Sequence, residues 1–191
     1  MSTIVAVRKG QTAVIGADTV TLFGSTLERA EYVASATKIL RVGTSWLGAV
    51  GHDSWELVLQ SHFGSKKRPP ALTSRAKIFE MARTMHQVLK DRYYLIPREE
   101  EHDAFEPSHL DCLIVNPAVI FGLYSLRSVQ EYTKFYAVGA GFRYALGAMH
   151  AVYDRYKTAE SIAMAGLEAS VTFDDSTEAP LEVRSVKLRK R

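Results

Sequence analysis

The sequence predicts an α+β fold in which two antiparallel β-sheets lie between two layers of helix, a four-layer αββα sandwich. Three observations carry this expectation. Short β-branched apolar runs follow one another through tight turns instead of alternating singly with helices, which favours antiparallel over parallel sheets. Helical spacing occurs in two pairs of segments, one mid-chain and one late. The resulting order of strands, helix pair, strands, helix pair and strand lets two sheets pack face to face, each with helices outside.

Residues 2–9, Ser-Thr-Ile-Val-Ala-Val-Arg-Lys, form the first strand, and Gly10-Gln11 turns the chain into a second, Thr12 to Asp18. A further pair, Lys38 to Val42 and Ser45 to Val50, is split by Gly43-Thr44. Trp55, Val58, Leu59, His62 and Phe63 then recur at helical intervals, with Asp53 and Ser54 as caps. Pro69-Pro70 interrupts the chain before a long amphipathic helix, Thr73 to Tyr94, capped by Thr73 or Ser74. The stretch Pro97 to Pro107, with Glu99-Glu100-Glu101, is a polar connection. Four short strands follow: Leu110 to Val115, Val119 to Tyr124, Val129 to Tyr132 and Phe135 to Val138, with Asn116-Pro117 as a turn. Helices at Phe142 to Tyr156 and Ala159 to Ser170 precede a last strand, Leu181 to Leu188.

The 191 residues, 47% hydrophobic and 24% charged with both signs interspersed, fit one globular domain over 1–191 and exclude a disordered, collagen-like or solenoid chain. The one cysteine, Cys112, lies in an apolar run and reads as a buried strand residue. The net charge is only +3, partly from the tail Lys187 to Arg191, so no nucleic-acid partner is expected. No apolar run is long enough to span a membrane, and Met1-Ser2-Thr3-Ile4 is no signal peptide, so no membrane partner is expected and the location expected is the cytoplasm.

Familiar catalytic patterns are absent. Gly139-Ala140-Gly141 stands between a strand and a helix, but Tyr144 occupies the third glycine position of a dinucleotide fingerprint. His52, His62, His86, His102, His109 and His150 fall on different elements, so neither metal nor cofactor is expected. No Gly-x-Ser-x-Gly elbow occurs.

The N-terminus remains. Ser2 follows Met1, and a small second residue permits removal of the initiator, leaving Ser2 with a free α-amine beside its own hydroxyl. An α-amine with an ordinary pKa of about 7.7–8.0 is competent to take the proton from that oxygen.

The segments Ser2 to Arg8, Gly16-Ala17-Asp18, Thr37-Lys38-Ile39, Leu47-Gly48-Ala49-Val50-Gly51 and Ala137 to Gly141, in this order, resemble the β-type subunits of the proteasome family. The likeness is to bacterial homologues of HslV type, nearest the betaproteobacterial proteasome homologue, a branch in which serine can replace threonine. It covers almost the whole chain and implies the N-terminal nucleophile hydrolase fold. It also implies roles: Ser2 as nucleophile, Asp18 as the acid closing the second strand, Lys38 as the lysine beside the nucleophile, and Gly48 as the oxyanion donor. Glu168 falls near the family's aspartate at the end of the fourth helix. A pocket lined by Trp46 and Val50 would favour apolar side chains.

The function implied is that of a self-compartmentalising endopeptidase subunit in homo-oligomeric stacked rings, acting on polypeptides, with an ATP-dependent unfoldase partner left open. Two alternatives stay open: a noncatalytic ring-forming subunit, and an amidase of the same chemistry acting on small molecules. The sequence departs from the family in four places. Ala140 replaces a hydroxyl-bearing residue, Glu168 replaces aspartate, Phe23 to Ser35 forms an extended loop, and Ser2 lacks threonine's β-methyl, which restricts χ1.

Overall fold

The computed structural model describes residues 2–64, 68–98 and 103–189. In chain order the elements are β1 (Thr3–Lys9), β2 (Thr12–Asp18), β3 (Thr21–Phe23), β4 (Thr26–Glu28), a 3₁₀ turn (Ala30–Tyr32), β5 (Ile39–Val42), β6 (Ser45–Val50), α1 (Trp55–Gly64) and α2 (Arg75–Tyr93). They continue with β7 (Asp111–Val115), β8 (Ile120–Leu123), β9 (Val129–Tyr132), β10 (Phe135–Gly139), α3 (Phe142–Val152), α4 (Ala159–Phe173) and β11 (Leu181–Lys187).

Two antiparallel sheets dominate, one with strand order β10-β1-β2-β11 and the other β5-β6-β7-β8-β9. Three apolar layers show how they stack. Ile4, Ile15, Leu113 and Ile120 fill the space between the sheets. Val5, Val7 and Val14, which alternate with those inward residues on β1 and β2, pack under Ala145, Met149, Ile162 and Leu167 of α3 and α4. On the far side, Leu47, Ile114 and Phe121 pack against Leu59, Ile78, Met81, Met85 and Leu89 of α1 and α2. Because period-two alternation sends successive side chains to opposite faces, a strand apolar on both faces must sit between two layers. β1 is such a strand: Thr3 to Val7 are all buried. The αββα sandwich therefore follows directly from its composition.

The helix ends obey local chemistry. The Ser74 side chain caps α2 by accepting from Lys77 N–H at 3.3 Å, and Thr158 caps α4 through Ser161 N–H at 3.1 Å. α3 stops at Val152, short of the expected Tyr156, and α4 runs on to Phe173. The expected extended loop between Phe23 and Ser35 is partly ordered instead, as the β3–β4 hairpin and the 3₁₀ turn. Its hairpin residues are mostly exposed, so no buried periodicity marked them in the sequence.

The acidic run Glu99–Glu101, His102, the Lys190-Arg191 end of the basic tail and Met1 lie outside the described residues. Cys112 is buried in β7, as its apolar run predicts, and burial pushes its thiol pKa up. No helix among the described residues is long and apolar enough to cross a membrane.

Candidate active site

β1 enters the molecule at Ser2, and its surroundings hold that residue on both sides. Ala140 N–H donates to the Ser2 carbonyl at 2.8 Å, and the next amide, Thr3 N–H, donates to Asp18 Oδ1 at 2.8 Å. Gly139 lies so tight against the Ser2 carbonyl that a Cβ there would sit 1.8 Å from its oxygen, which, with φ +99, makes glycine the only residue that fits. The Ser2 main chain is thus fixed by β10 and β2 together, two strands more than a hundred residues apart in sequence.

Asp18 ends β2, and its side chain is fully buried. Its second oxygen accepts from Lys38 Nζ at 2.6 Å, and the same ammonium donates to Val20 O at 2.5 Å. Lys38 itself stands one residue before β5, anchored by its own N–H donating to Glu182 Oε1 at 2.7 Å. Burial pushes the Asp18 carboxyl above the usual carboxylate range and the Lys38 ammonium below the usual lysine range. In each case the partner's opposite charge acts the other way and is outweighed. The result is a desolvated ion pair whose lysine is easier to deprotonate than one in water.

A second buried chain of hydrogen bonds secures the residue after Ser2. Gly141 N–H donates to Thr3 Oγ1 at 3.0 Å, and Thr3 Oγ1 meets Thr177 Oγ1 at 2.7 Å. Thr177 Oγ1 donates to Asp174 Oδ2 at 2.6 Å. A hydroxyl has one hydrogen, so with the Thr177 proton on Asp174 the Thr3 hydroxyl must donate to Thr177. The relay therefore runs in one direction and ends on a carboxylate. Ser170 Oγ closes the cluster by donating to Gly141 O at 3.0 Å.

Three sequence-based assignments change. Glu168 is exposed on the outer side of α4, whose buried face is carried by Ala163, Gly166, Leu167 and Ser170; the acid that reaches β1 from this end of the helix is Asp174, its C-cap. Helical periodicity alone put Glu168 near the end of the helix but gave neither its face nor the turn that brings Asp174 back. Gly48 lies inside β6 with β5 on one side and β7 on the other, so its N–H belongs to the ladder. A Cβ at this position would come within 2.8 Å of Ile4 Cγ2 and 3.1 Å of Ile15 Cδ1, which gives Gly48 a packing role between the sheets.

Trp46 stands at the other end of β6 from Val50, opposite Arg41, with the guanidiniums of Arg41 and Arg184 5.6 and 5.9 Å from its ring. It does not share a cavity with Val50, whereas Val50 and Gly51 line one with Gly139. Gly51, just past the end of β6 at φ +140, is exposed and lines the same cavity as Gly139, the residue packed on the Ser2 carbonyl. Among the described residues nothing accepts from its N–H. The sequence carried a signal for it, the first glycine after the strand and before α1.

A direct check separates the two glycines. Gly48→Ala overpacks the core and is expected to cost about 1–3 kcal/mol, read as a lower Tm, with kcat of the folded fraction unchanged. A fall in kcat at unchanged Tm would return the site role to Gly48.

Among the described residues no group of three or more histidine, cysteine or acidic side chains is placed to hold a metal. Tyr93-Tyr94 and Phe135-Tyr136 divide between core and surface. Tyr94 is 83% exposed, whereas Tyr136 stacks on Tyr132 at 4.2 Å and Phe135 lies against Tyr153.

No protein-family model matches the chain, and a search of curated proteins returns no match. Solved structures do match. Thiobacillus denitrificans BPH superposes with a TM-score of 0.93 at 41% identity, over 99% of this chain and 100% of its own. The same protein in complex with Epoxomicin gives 0.92 at 41% identity, over 98% and 100%. Eukaryotic HslV from Trypanosoma brucei gives 0.71 at 18% identity, over 97% and 99%, a likeness of fold. With two-fifths of its residues identical to the Thiobacillus protein along essentially the full length of both chains, this protein belongs to the bacterial proteasome-like HslV family and has the αββα N-terminal nucleophile fold.

Proposed function

We infer that the chain is a proteasome-like endopeptidase subunit whose nucleophile is Ser2, freed by removal of Met1, with its own α-amine as the base. The observation that carries this reading is the Asp18 carboxylate. It bridges the amide that follows Ser2 and the buried ammonium of Lys38, so a cation and a fixed main chain meet where the nucleophile begins. Likeness to a protein solved in complex with Epoxomicin supports a peptidase.

In this reading the α-amine takes the Ser2 Oγ proton as Oγ attacks the peptide carbonyl carbon. Gly51 N–H donates to the developing oxyanion, and Lys38 stabilises negative charge near Oγ. The protonated amine then gives its proton to the leaving peptide amine as the C–N bond breaks. Water, deprotonated by the same amine, hydrolyses the ester and returns Ser2. Ala140 leaves no hydroxyl to relay protons at its position, so the amine acts without it. The subunits form homo-oligomeric stacked rings in the cytoplasm that act on polypeptides, and exposed Leu57 on α1 and Phe79 on α2 support self-association through the outer helical faces.

Intact-mass analysis tests the assignment. The purified chain should lack Met1, and a peptidyl epoxyketone should add one mole per subunit at Ser2. A retained methionine, or label elsewhere, refutes it. A pH profile gives a second test. The base must be neutral, so kcat/KM rises with pH on an acid limb. A neighbouring ammonium disfavours the protonated amine, so the limb's midpoint falls below the ordinary value of about 7.7–8.0. Lys38→Met should move the midpoint upward in whatever activity remains, and a midpoint that stays in place would remove Lys38 from the nucleophile's field.

A further inference from the structure

A cavity of about 660 Å³ opens between the two sheets on the side of Ser2 away from Lys38. It adjoins the proposed nucleophile through Gly139. Gly139, which packs on the Ser2 carbonyl, and Val50, whose Cγ1 lies 3.2 Å from where a Gly139 Cβ would be, both line it, as does Gly51. Its walls are aromatic, built by Tyr124, Tyr136 and Phe142.

Asp111, the first residue of β7, also lines this cavity. Its Oδ1 accepts from Ser125 N–H at 3.1 Å, and Oδ2 has no hydrogen bond among the described residues. Among the described residues no cation shifts it: burial raises its pKa and the Ser125 amide opposes the rise. His109 also lines the cavity, and its Nε2 accepts from Arg98 N–H at 3.2 Å. An aromatic-walled slot ending in a half-buried carboxylate without a cation suits a long aliphatic stem with a cationic head, for which the rings offer apolar cover and cation–π attraction.

We propose that this cavity takes a lysine or arginine side chain of the polypeptide substrate, contributed by the residue adjoining the scissile bond on the Gly139 side, with Asp111 as its counter-ion. The proposal rests on the endopeptidase reading and deepens it. The stem lies along Val50 and Tyr136 and the head reaches Asp111 Oδ2, displacing water from one end of the cavity.

The test uses the full protein and pairs of otherwise identical internally quenched peptides carrying lysine or norleucine at each position flanking the cut bond in turn. At one flanking position lysine should raise kcat/KM by about tenfold or more over norleucine, the scale of a charge-assisted hydrogen bond. Asp111→Asn should reduce that ratio to near one. Equal rates for the pair at both positions in the native protein overturn the proposal, whatever the folding of the variant, and so does a preference that survives Asp111→Asn in protein whose thermal melting shows it folded. Ser2→Ala run alongside keeps the two readings apart. Cleavage that persists there refutes the nucleophile without touching the cavity. In that uncleaving variant, calorimetry should still show the lysine peptide binding about tenfold tighter than the norleucine one, and equal affinities refute the cavity without touching the nucleophile.

Discussion

Ser2→Ala is expected to lower peptide hydrolysis by at least about 10³-fold, while the protein folds and melts as before. The substitution removes Oγ and nothing else in the frame. The Ala140 N–H to Ser2 carbonyl bond and the Thr3 N–H to Asp18 bond are both main-chain features of the strand and survive it. The α-amine, the Lys38 ammonium and the cavity beside Gly139 also remain, so a large loss of rate at unchanged Tm isolates the hydroxyl. Residual activity above this limit would mean that water attacks directly, with the amine as base, and that no ester forms. Ser2→Thr works in the opposite direction: a β-methyl narrows χ1 and holds the hydroxyl ready, so turnover should rise. Progress curves with one fluorogenic peptide across the three proteins decide both points.

The second large effect concerns Asp18 and Lys38. Removing either partner alone, as Asp18→Asn or Lys38→Met, leaves an uncompensated buried charge and is expected to cost about 3–5 kcal/mol of stability together with activity. The double variant Asp18→Asn/Lys38→Met should recover most of the stability and none of the activity. The direction of the pKa shifts gives the reason. Asp18 has a folded pKa above its unfolded value, so its contribution is fully present below the unfolded pKa and is lost as pH rises through the folded one. Lys38 has a folded pKa below its unfolded value, so its contribution is present above the unfolded pKa and is lost as pH falls through the folded one. At any pH above the folded Asp18 pKa and below the folded Lys38 pKa both groups are charged and both burial costs are in force. Burial of the pair therefore costs stability. Denaturant unfolding of the two single variants and the double variant measures the coupling. A double variant no more stable than either single one would contradict it.

What could be read in advance differs from element to element. β1 and β2 were legible because apolar residues on both strand faces demand a layer on each side, and α2 because Ile78, Met81, Met85 and Leu89 repeat at helical spacing behind a Ser74 cap. The β3–β4 hairpin was not, since its residues face solvent and leave no apolar period. Asp18 and Lys38 were named by resemblance alone, and the structure joins them in an ion pair at 2.6 Å. Gly48, Glu168 and Trp46 are set apart by geometry that residue spacing does not carry. Helix rotation turns Glu168 to solvent, strands on both sides hold Gly48 in the ladder, and Trp46, on the same strand face as Val50, stands at the far end of β6.

The sequence by itself determined the layered fold, because burial of alternating and helical apolar patterns admits few arrangements, and it put Ser2 at the entry to the first strand, which the structure begins one residue later, at Thr3. Tertiary structure alone decided what stands around that residue. Asp174 and Thr177 meet Thr3, Gly139 presses on Ser2, and Asp111 faces the same cavity as Val50, all across more than fifty residues of chain. Such contacts are set by how strands register and helices turn, and local sequence encodes an element's faces but not the partner that each face will meet.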